Sequence, residues 1–92
     1  MALTTFPKDP HATLDYSLDW SEWLAVGESL TCSVWTRSST DLKEVNTNLT
    51  TSIATIWLSG GAAGNIYTVA NKIGTSGSRI DERTIAIKVE NR

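Results

Sequence analysis

Residues 14–23 read LDYSLDWSEW, and the first seven of them alternate between apolar and polar side chains. The apolar members of this alternation are Leu14, Tyr16, Leu18 and Trp20. A period of two is the signature of a β-strand with one buried face and one wet face. A helix fits less well, because the apolar residues do not form a helical stripe. The alternation ends at residues 21–24 and Gly27 follows, which predicts a tight corner or one helical turn before the next strand.

Four later segments are rich in β-branched and aromatic residues, a composition typical of strands. They are residues 30–36 (LTCSVWT), 52–58 (SIATIWL), 66–73 (IYTVANKI) and 83–90 (RTIAIKVE). The glycine-rich residues 59–65 predict a hairpin between the second and third of these segments, and residues 74–78 predict another between the last two. The polar stretch from Arg37 to Asn48 predicts a loop, and leaves open a short edge strand around Leu42 and Val45.

Short strands at steady spacing, without a long amphipathic helix, predict an antiparallel β-sandwich with Greek-key links, and a small barrel is the alternative. Tyr67 favours the sandwich, because immunoglobulin-like domains often carry a tyrosine near the start of a late strand whose hydroxyl bonds back to the preceding corner. Pro7 and Pro10 bias the first residues toward extended backbone. We therefore expect an extended N-terminal arm at residues 1–13 and a single sandwich domain at residues 14–92, with Phe6 docked on this domain or on a neighbour.

Charge and composition exclude several classes of partner. The eight basic residues are scattered and the formal net charge is −2, so the chain has no basic stripe for nucleic acid. No stretch has the length of a membrane span, and the first residues do not resemble a secretion signal, which predicts a soluble protein with no membrane partner. Cys32 is the only cysteine, which fits synthesis in a reducing cytoplasm. Because Cys32 lies between Leu30 and Val34 in a strand, we expect it to be a small buried hydrophobe.

Catalytic, metal and cofactor sites are not expected. Asp15, Asp19 and Glu22 supply the oxygen ligands that calcium prefers, but a half-wet strand followed by a corner explains them better, with Asp19 capping backbone amides. His11 is the only histidine, and an extended arm does not hold a general base in place. The chain has no G-x-S-x-G nucleophile motif, and residues 60–64 lack the Lys-Ser/Thr of a phosphate-binding loop.

Four tryptophans are many for a chain of 92 residues; they are Trp20, Trp23, Trp35 and Trp57. Trp20 continues the apolar face of its strand and is predicted to be buried, and one of Trp35 or Trp57 is predicted to fill the space between the sheets. Tryptophan is also enriched at interface hot spots and in carbohydrate platforms, so Trp23 is a candidate contact. The predicted partner-binding residues are Phe6, Pro7, Pro10 and Trp23.

Several stretches have a familiar combination of residues: FPKDPHATLDYSLDWSEWL at 6–24, SVWT at 33–36, TIWLSGGAAGNIYTVANKI at 55–73 and RIDERTIAIKV at 79–89. Together they resemble small structural proteins of tailed bacteriophages of the fibre-tail adaptor type. The resemblance covers nearly the whole chain and is loosest at residues 37–48. It implies an immunoglobulin-like sandwich without a cofactor, located in the virion, where several copies contact other virion structural proteins.

Three roles follow from these observations and this resemblance. The first is an adaptor joining tail and fibre components, and the second is a decoration protein on the capsid. The third, from another class, is a carbohydrate-binding module, which would need an exposed, coplanar pair of aromatic rings in a groove.

Overall fold

Seven β-strands and no helix make up the regular structure of residues 4–91, which are the part of the chain that the computed structural model describes. The strands are β1 (Thr4–Lys8), β2 (Leu14–Asp19), β3 (Leu30–Arg37), β4 (Leu42–Leu49), β5 (Ile53–Gly60), β6 (Ile66–Thr75) and β7 (Ile80–Val89). They form a four-stranded sheet in the order β1-β7-β6-β3 and a three-stranded sheet in the order β2-β5-β4. All neighbours are antiparallel except β1 and β7, which are parallel. The predicted all-β architecture is confirmed, with two sheets as in a sandwich.

The core consists of the inward side chains of both sheets. One cluster contains Tyr16, Leu42, Ile56, Leu58, Tyr67, Val69, Ile85, Ile87 and Val89. A second cluster contains Trp20, Leu30, Ala54 and Ile73, and Trp35 packs against both clusters. Trp20 is fully buried, as its position on the strand predicted, and its indole Nε1 donates to Asn71 Oδ1 at 3.1 Å. Period-two alternation therefore identified the buried faces of β2 and β7 correctly.

The connection at residues 59–65 is not a hairpin, contrary to the sequence prediction. β5 lies between β2 and β4 in one sheet, whereas β6 lies between β7 and β3 in the other. The connection therefore crosses from one sheet to the other. Gly60, Gly61 and Gly64 all have positive φ, so the segment turns sharply as expected. A turn signal shows that the chain changes direction, but not which strand it will pair with. The predicted β6–β7 hairpin is confirmed.

Cys32 is exposed, and the prediction that it is buried is wrong. The pairing of β3 with β6 shifts by one residue between Leu30 and Cys32, which makes Thr31 the extra residue of a β-bulge. A shift of one residue exchanges the two faces of the strand that follows. Trp35 consequently points into the core, and Cys32 and Val34 point outward.

Two other segments differ in detail from the sequence predictions. The polar stretch after Arg37 contains a complete eight-residue strand, β4, which pairs with β5 and forms the edge of its sheet. Most of β4 is exposed, which explains why its sequence lacks the alternation of a half-buried strand. At the other end of the chain, Thr4–Lys8 of the predicted arm is extended and forms a strand alongside β7. Residues 1–3 of that predicted arm lie outside the described residues.

Candidate functional site

The predicted partner-binding residues of the N-terminal segment lie along β1 and the turn after it. Phe6 is half-buried against the core of its own domain, with its ring centroid 5.5 Å from that of Tyr16. Pro7 is exposed, and its carbonyl accepts a hydrogen bond of 3.4 Å from the Tyr16 hydroxyl. Pro10 is half-buried in a turn that Ala12 closes by donating its backbone N–H to Asp9. Of the two alternatives for Phe6, the structure shows docking on the chain itself.

Trp23 lies far from those residues. It follows β2, next to the turn between β6 and β7, whereas Lys8 pairs with Val89 at the other end of β7. Ten residues of strand separate Arg79 from Val89, which is about 30 Å at the rise of a β-strand. The structure therefore does not bring the four predicted contact residues together. They belong to two opposite ends of the sandwich, and each end has its own polar cluster.

The arginine end comprises Trp20, Trp23, Glu28, Thr75 and Arg79. The rings of Trp20 and Trp23 meet edge to face, with centroids 5.4 Å apart and planes at 71°. The Arg79 guanidinium lies 4.0 Å above the Trp23 ring, and the Arg83 guanidinium lies 4.1 Å above Trp20. A guanidinium over an indole face is an attractive cation–π contact. The contacts with Trp20 and Arg79 leave Trp23 half-buried, with Arg79 over its ring.

Glu28 organises this arginine end. Its carboxylate forms a two-pronged ion pair with Arg79 and also accepts hydrogen bonds from the Thr75 hydroxyl at 2.6 Å and the Ala25 N–H at 2.9 Å. The hydrogen bonds from Arg79, then those from Thr75 and Ala25, lower the pKa of Glu28 to about 2. The same partnership raises the pKa of Arg79. The pair is therefore fully charged at neutral pH, with Glu28 only 6 % exposed and Arg79 43 % exposed.

The lysine end comprises Lys8, Asp41, Gly60, Gly61 and Tyr67. Lys8 is fully buried, and its Nζ donates hydrogen bonds to the carbonyls of Gly60 at 2.8 Å and Asp9 at 3.0 Å. Desolvation by burial lowers the pKa of Lys8, and the charge of Asp9 opposes that effect. Because Lys8 is in one sheet and Gly60 in the other, this ammonium group links the two sheets at the point where the chain crosses between them.

Tyr67 stabilises the same crossing. Its hydroxyl accepts the Ala62 N–H at 2.9 Å and donates to Asp41 Oδ2 at 3.2 Å. The predicted hydrogen bond between the Tyr67 hydroxyl and the preceding corner is confirmed, with the Ala62 N–H as donor. Gly61 has no room for a side chain, since a Cβ there would lie 2.8 Å from Val89 Cγ2.

The acidic residues of the opening sequence are separate from one another. Asp19 accepts the Ser21 N–H at 2.9 Å, which confirms the predicted cap and lowers the pKa of Asp19. Asp15 is exposed and lies opposite Trp57 in the β2–β5 pairing, and Glu22 is exposed in the turn. Within residues 4–91, no three His, Cys, Asp or Glu side chains are placed to hold a metal ion. Within the same residues, no helix is long and apolar enough to cross a membrane.

Three candidates from the sequence remain: His11, Trp57 and the Trp20–Trp23 pair. His11 is exposed, and its backbone N–H is bonded to Asp9 Oδ1. Trp57 is half-buried on the outer face of the three-stranded sheet, opposite Asp15 and Asn46. The Trp20–Trp23 pair is not the coplanar platform that sugar binding would need, because its planes are at 71° and Arg79 covers the outer ring.

The sequence did not identify Lys8, Glu28 and Arg79 as the residues at the centre of the two polar clusters. Glu28 and Arg79 are 51 residues apart, so no local pattern connects them. Lys8 carried a weak signal, because it lies two residues after Phe6 in an extended segment and so shares its inward face. A lysine on that face is ordinarily assigned to solvent, since lysine is almost never fully buried unless it is paired.

Comparison with known protein families shows which family the chain belongs to. No curated protein gives a significant match to it. The family model of the podophage GP4 fiber-tail adaptor protein gp77 matches residues 8–88, which include β2 to β7 except for the last residue of β7. The match spans most of the 92 residues, and the chain therefore belongs to the podophage GP4 fiber-tail adaptor protein gp77 family.

Proposed function

We propose that this protein is a non-enzymatic structural component of a bacteriophage virion, made in the host cytoplasm, that joins tail and fibre components through protein–protein contacts. The observation that carries this proposal is the family match over residues 8–88. The organisation of the described residues is compatible with it, because two of their basic side chains are held in structural clusters. Arg79 bonds to Glu28, and Lys8 bonds to backbone carbonyls.

We also propose that the sandwich is of the immunoglobulin-like type with Greek-key links. Three features support this assignment: the strand order of the two sheets, the parallel pairing of β1 with β7, and the hydrogen bonds of Tyr67 to its corner. In such a domain the loops gather at the two ends of the sandwich, where partners can bind without disturbing the core. In this proposal the sandwich is a rigid body, and its ends and edges contact partner proteins.

The arginine end is the proposed contact with a neighbouring virion protein. Tryptophan and arginine are the residue types most enriched at interface hot spots, and here Arg79 lies on Trp23. Val26, at the tip of the adjoining turn, is 107 % exposed relative to a standard peptide, which makes it an apolar projection beside them. Among the residues proposed from the sequence, Pro7 is exposed, whereas Trp23, Phe6 and Pro10 are half-buried.

The test is to complement a phage that lacks this chain with wild-type protein or with Val26→Asp. We expect virions made with wild-type protein to carry fibres on their tails, and virions made with Val26→Asp to carry fewer. Val26 makes little contact with the domain, so the variant should keep the wild-type melting temperature. Fibre number is counted in electron micrographs, and mass spectrometry measures the chain in purified virions.

A matched control is Val45→Asp, another exposed valine, which lies on the edge strand β4 and not in that turn. Virions with normal fibres in the absence of the chain would exclude the adaptor role. Labelling of the chain on the capsid shell instead of the tail would favour a decoration protein. A purified chain that binds oligosaccharide but no virion protein would favour the carbohydrate-binding alternative.

A further inference from the structure

β3 is an edge strand whose guards lie only near its two ends, the bulge at Thr31 and the charge of Arg37. It is the outer strand of the four-stranded sheet, and no other strand of residues 4–91 pairs with its far side. An edge strand presents unpaired N–H and C=O groups, and proteins guard such edges with charge, proline, bulges or short length. The other edges in the described part have these guards: Pro7 in β1, Asp15 and Asp19 in β2, and Lys43, Glu44 and a bulge in β4. Residues 31–36 of β3, TCSVWT, contain neither charge nor proline.

The register of β3 shows which of its backbone groups point to the open side. Ser38 donates its N–H to the carbonyl of Thr68, directly opposite in the β3–β6 register, at 2.9 Å. In an antiparallel pair, such hydrogen-bonded positions recur at every second residue. The even-numbered residues from 32 to 38 therefore direct their backbone groups toward β6. The residues that direct theirs toward the open edge are Ser33, Trp35 and Arg37.

Two side chains at this edge are in unfavourable surroundings. Val34 lies on the outer face of the sheet and is 57 % exposed. The indole Nε1 of Trp35 is buried and has no hydrogen-bond partner among residues 4–91. Only Val34 bears on a partner at this edge, because the Trp35 indole packs in the core between the sheets.

We propose that β3 pairs antiparallel with β3 of a second copy of this chain, about a two-fold axis at Val34, so that the two four-stranded sheets become one continuous sheet. In this register Val34 faces Val34 of the second copy, and Ser33 faces Trp35. The outward backbone groups of Ser33 and Trp35 then bond across the axis. The two valines cover each other, which removes exposed apolar surface of both copies from water. This inference rests on the proposed assembly role and names a contact between copies for it.

The charge pattern favours a second copy as the occupant. In a two-fold interface every side chain on the axis meets its own kind, so a charge there would be repelled. With the axis at Val34, neither Val34 nor any residue within two positions of it in the chain is charged. Arg37 of one copy lies opposite Thr31 of the other, which keeps the two guanidinium groups apart. The bulge at Thr31 limits the paired length to residues 32–36, a short but regular run.

The first test measures the self-association of the purified chain by sedimentation velocity. We expect the wild-type chain to form dimers, and Val34→Lys to weaken the dimer at least about tenfold, because it places two like charges face to face. Val45→Lys is the matched control, since Val45 is also 57 % exposed and lies on the edge strand β4. It should leave the dimer unchanged. A monomeric wild-type chain, or equal effects of the two variants, would overturn the proposal.

The second test fixes the register and does not require the lysine variant to fold. Directly opposed residues in non-hydrogen-bonded positions have Cα atoms about 4.5 Å apart, which is within the range of a disulfide. Val34→Cys in a Cys32→Ser background should therefore form an interchain disulfide on mild oxidation, whereas Val45→Cys in the same background should not. The wild-type chain should not cross-link, because Cys32 faces Thr36 of the second copy. Absence of the disulfide at position 34 would exclude this pairing even if the chain dimerises by other means.

These experiments separate the inference from the proposed function. A chain that dimerises through β3 but is missing from virions would support the pairing and exclude the adaptor role. A chain that is monomeric in solution but is found in virions and is needed for fibre attachment would exclude the β3 pairing and support the adaptor role.

Discussion

The two ends of the sandwich each contain a basic side chain that bonds across the fold, and they use it differently. At the lysine end, Lys8 is fully buried and bonds to backbone carbonyls that come together only where the chain crosses between sheets. At the arginine end, Arg79 remains 43 % exposed and bonds to a carboxylate. The Arg79–Glu28 pair is open to solvent on the arginine side, which weakens its contribution to folding, whereas removing a buried hydrogen-bonding group leaves its partners unsatisfied. The comparison indicates that the lysine end stabilises the fold, whereas the arginine end, the proposed contact, keeps its basic side chain partly exposed.

The largest effect is expected at Gly61 in the lysine end. Gly61→Ala would place a Cβ 2.8 Å from Val89 Cγ2 and 3.3 Å from Leu42 Cδ2, at a φ of +91°. Backbone strain of about 1 to 2 kcal/mol and overpacking of about 1 to 3 kcal/mol add up to a loss of roughly 3 kcal/mol of unfolding free energy. Urea denaturation measures that loss.

Gly64→Ala is the control for strain alone. Gly64 has the same φ of +91°, but a Cβ there meets nothing within 4 Å. We expect this variant to lose about 1 to 2 kcal/mol, the cost of an alanine in the left-handed region. Gly27→Ala, in the turn of the arginine end, should behave in the same way, since its Cβ also meets nothing within 4 Å. Equal losses at Gly61 and Gly64 would show that the lysine end is not tightly packed.

A smaller loss is expected from Lys8→Met. Methionine preserves most of the volume of the buried stem but removes the hydrogen bonds to the Gly60 and Asp9 carbonyls. Losing hydrogen bonds from a charged donor lowers the free energy of unfolding. Removing an ammonium group that is desolvated in the folded protein raises it, which offsets part of the loss. We therefore expect a net loss of about 1 to 2 kcal/mol of unfolding free energy. Lys88→Met on the neighbouring strand is the control, because Lys88 is exposed. Its loss should stay below about 0.5 kcal/mol. A stabilised Lys8→Met variant would mean that burial of the charge outweighs its bonds.

The sequence predicted the parts of this fold that depend on local periodicity and missed those that depend on distant pairing. Alternation located the buried face of β2, and the residues after Gly64 identified Tyr67 as the corner tyrosine. The single bulge residue Thr31 exchanged the faces of β3, because strand period carries no information about an inserted residue. The glycine-rich crossing gave the same local signal as a hairpin, since turn chemistry does not specify which sheet the next strand joins.

The candidate site was less predictable than the fold for a related reason. Trp23 was predicted as a contact because tryptophan is a common interface residue, but Arg79, which covers it, is 56 residues away in the chain. The protection of edges is likewise a property of the sheet order and not of any single strand. Residues 31–36 lack charge and proline in the sequence, but the importance of that lack depends on β3 being outermost.

The smallest expected effect is the contribution of Glu28 to the pH dependence of stability. It tests the arginine end by itself. The pKa of Glu28 is about 2 in the folded protein against 4.5 for an unperturbed glutamate, because Arg79, Thr75 and the Ala25 N–H stabilise the carboxylate. The unfolded chain therefore binds this proton first as pH falls, so the stabilisation is fully present above pH 4.5 and is lost between 4.5 and about 2. We expect the melting temperatures of the wild-type protein and Glu28→Gln to differ modestly at pH 6 and to converge toward pH 2. Glu22→Gln, an exposed carboxylate in the same turn, controls for the loss of one negative charge. A constant difference across this pH range would show that the Arg79–Glu28 pair does not form in solution, and Trp23 would then lack the arginine cover on which its assignment as a contact depends.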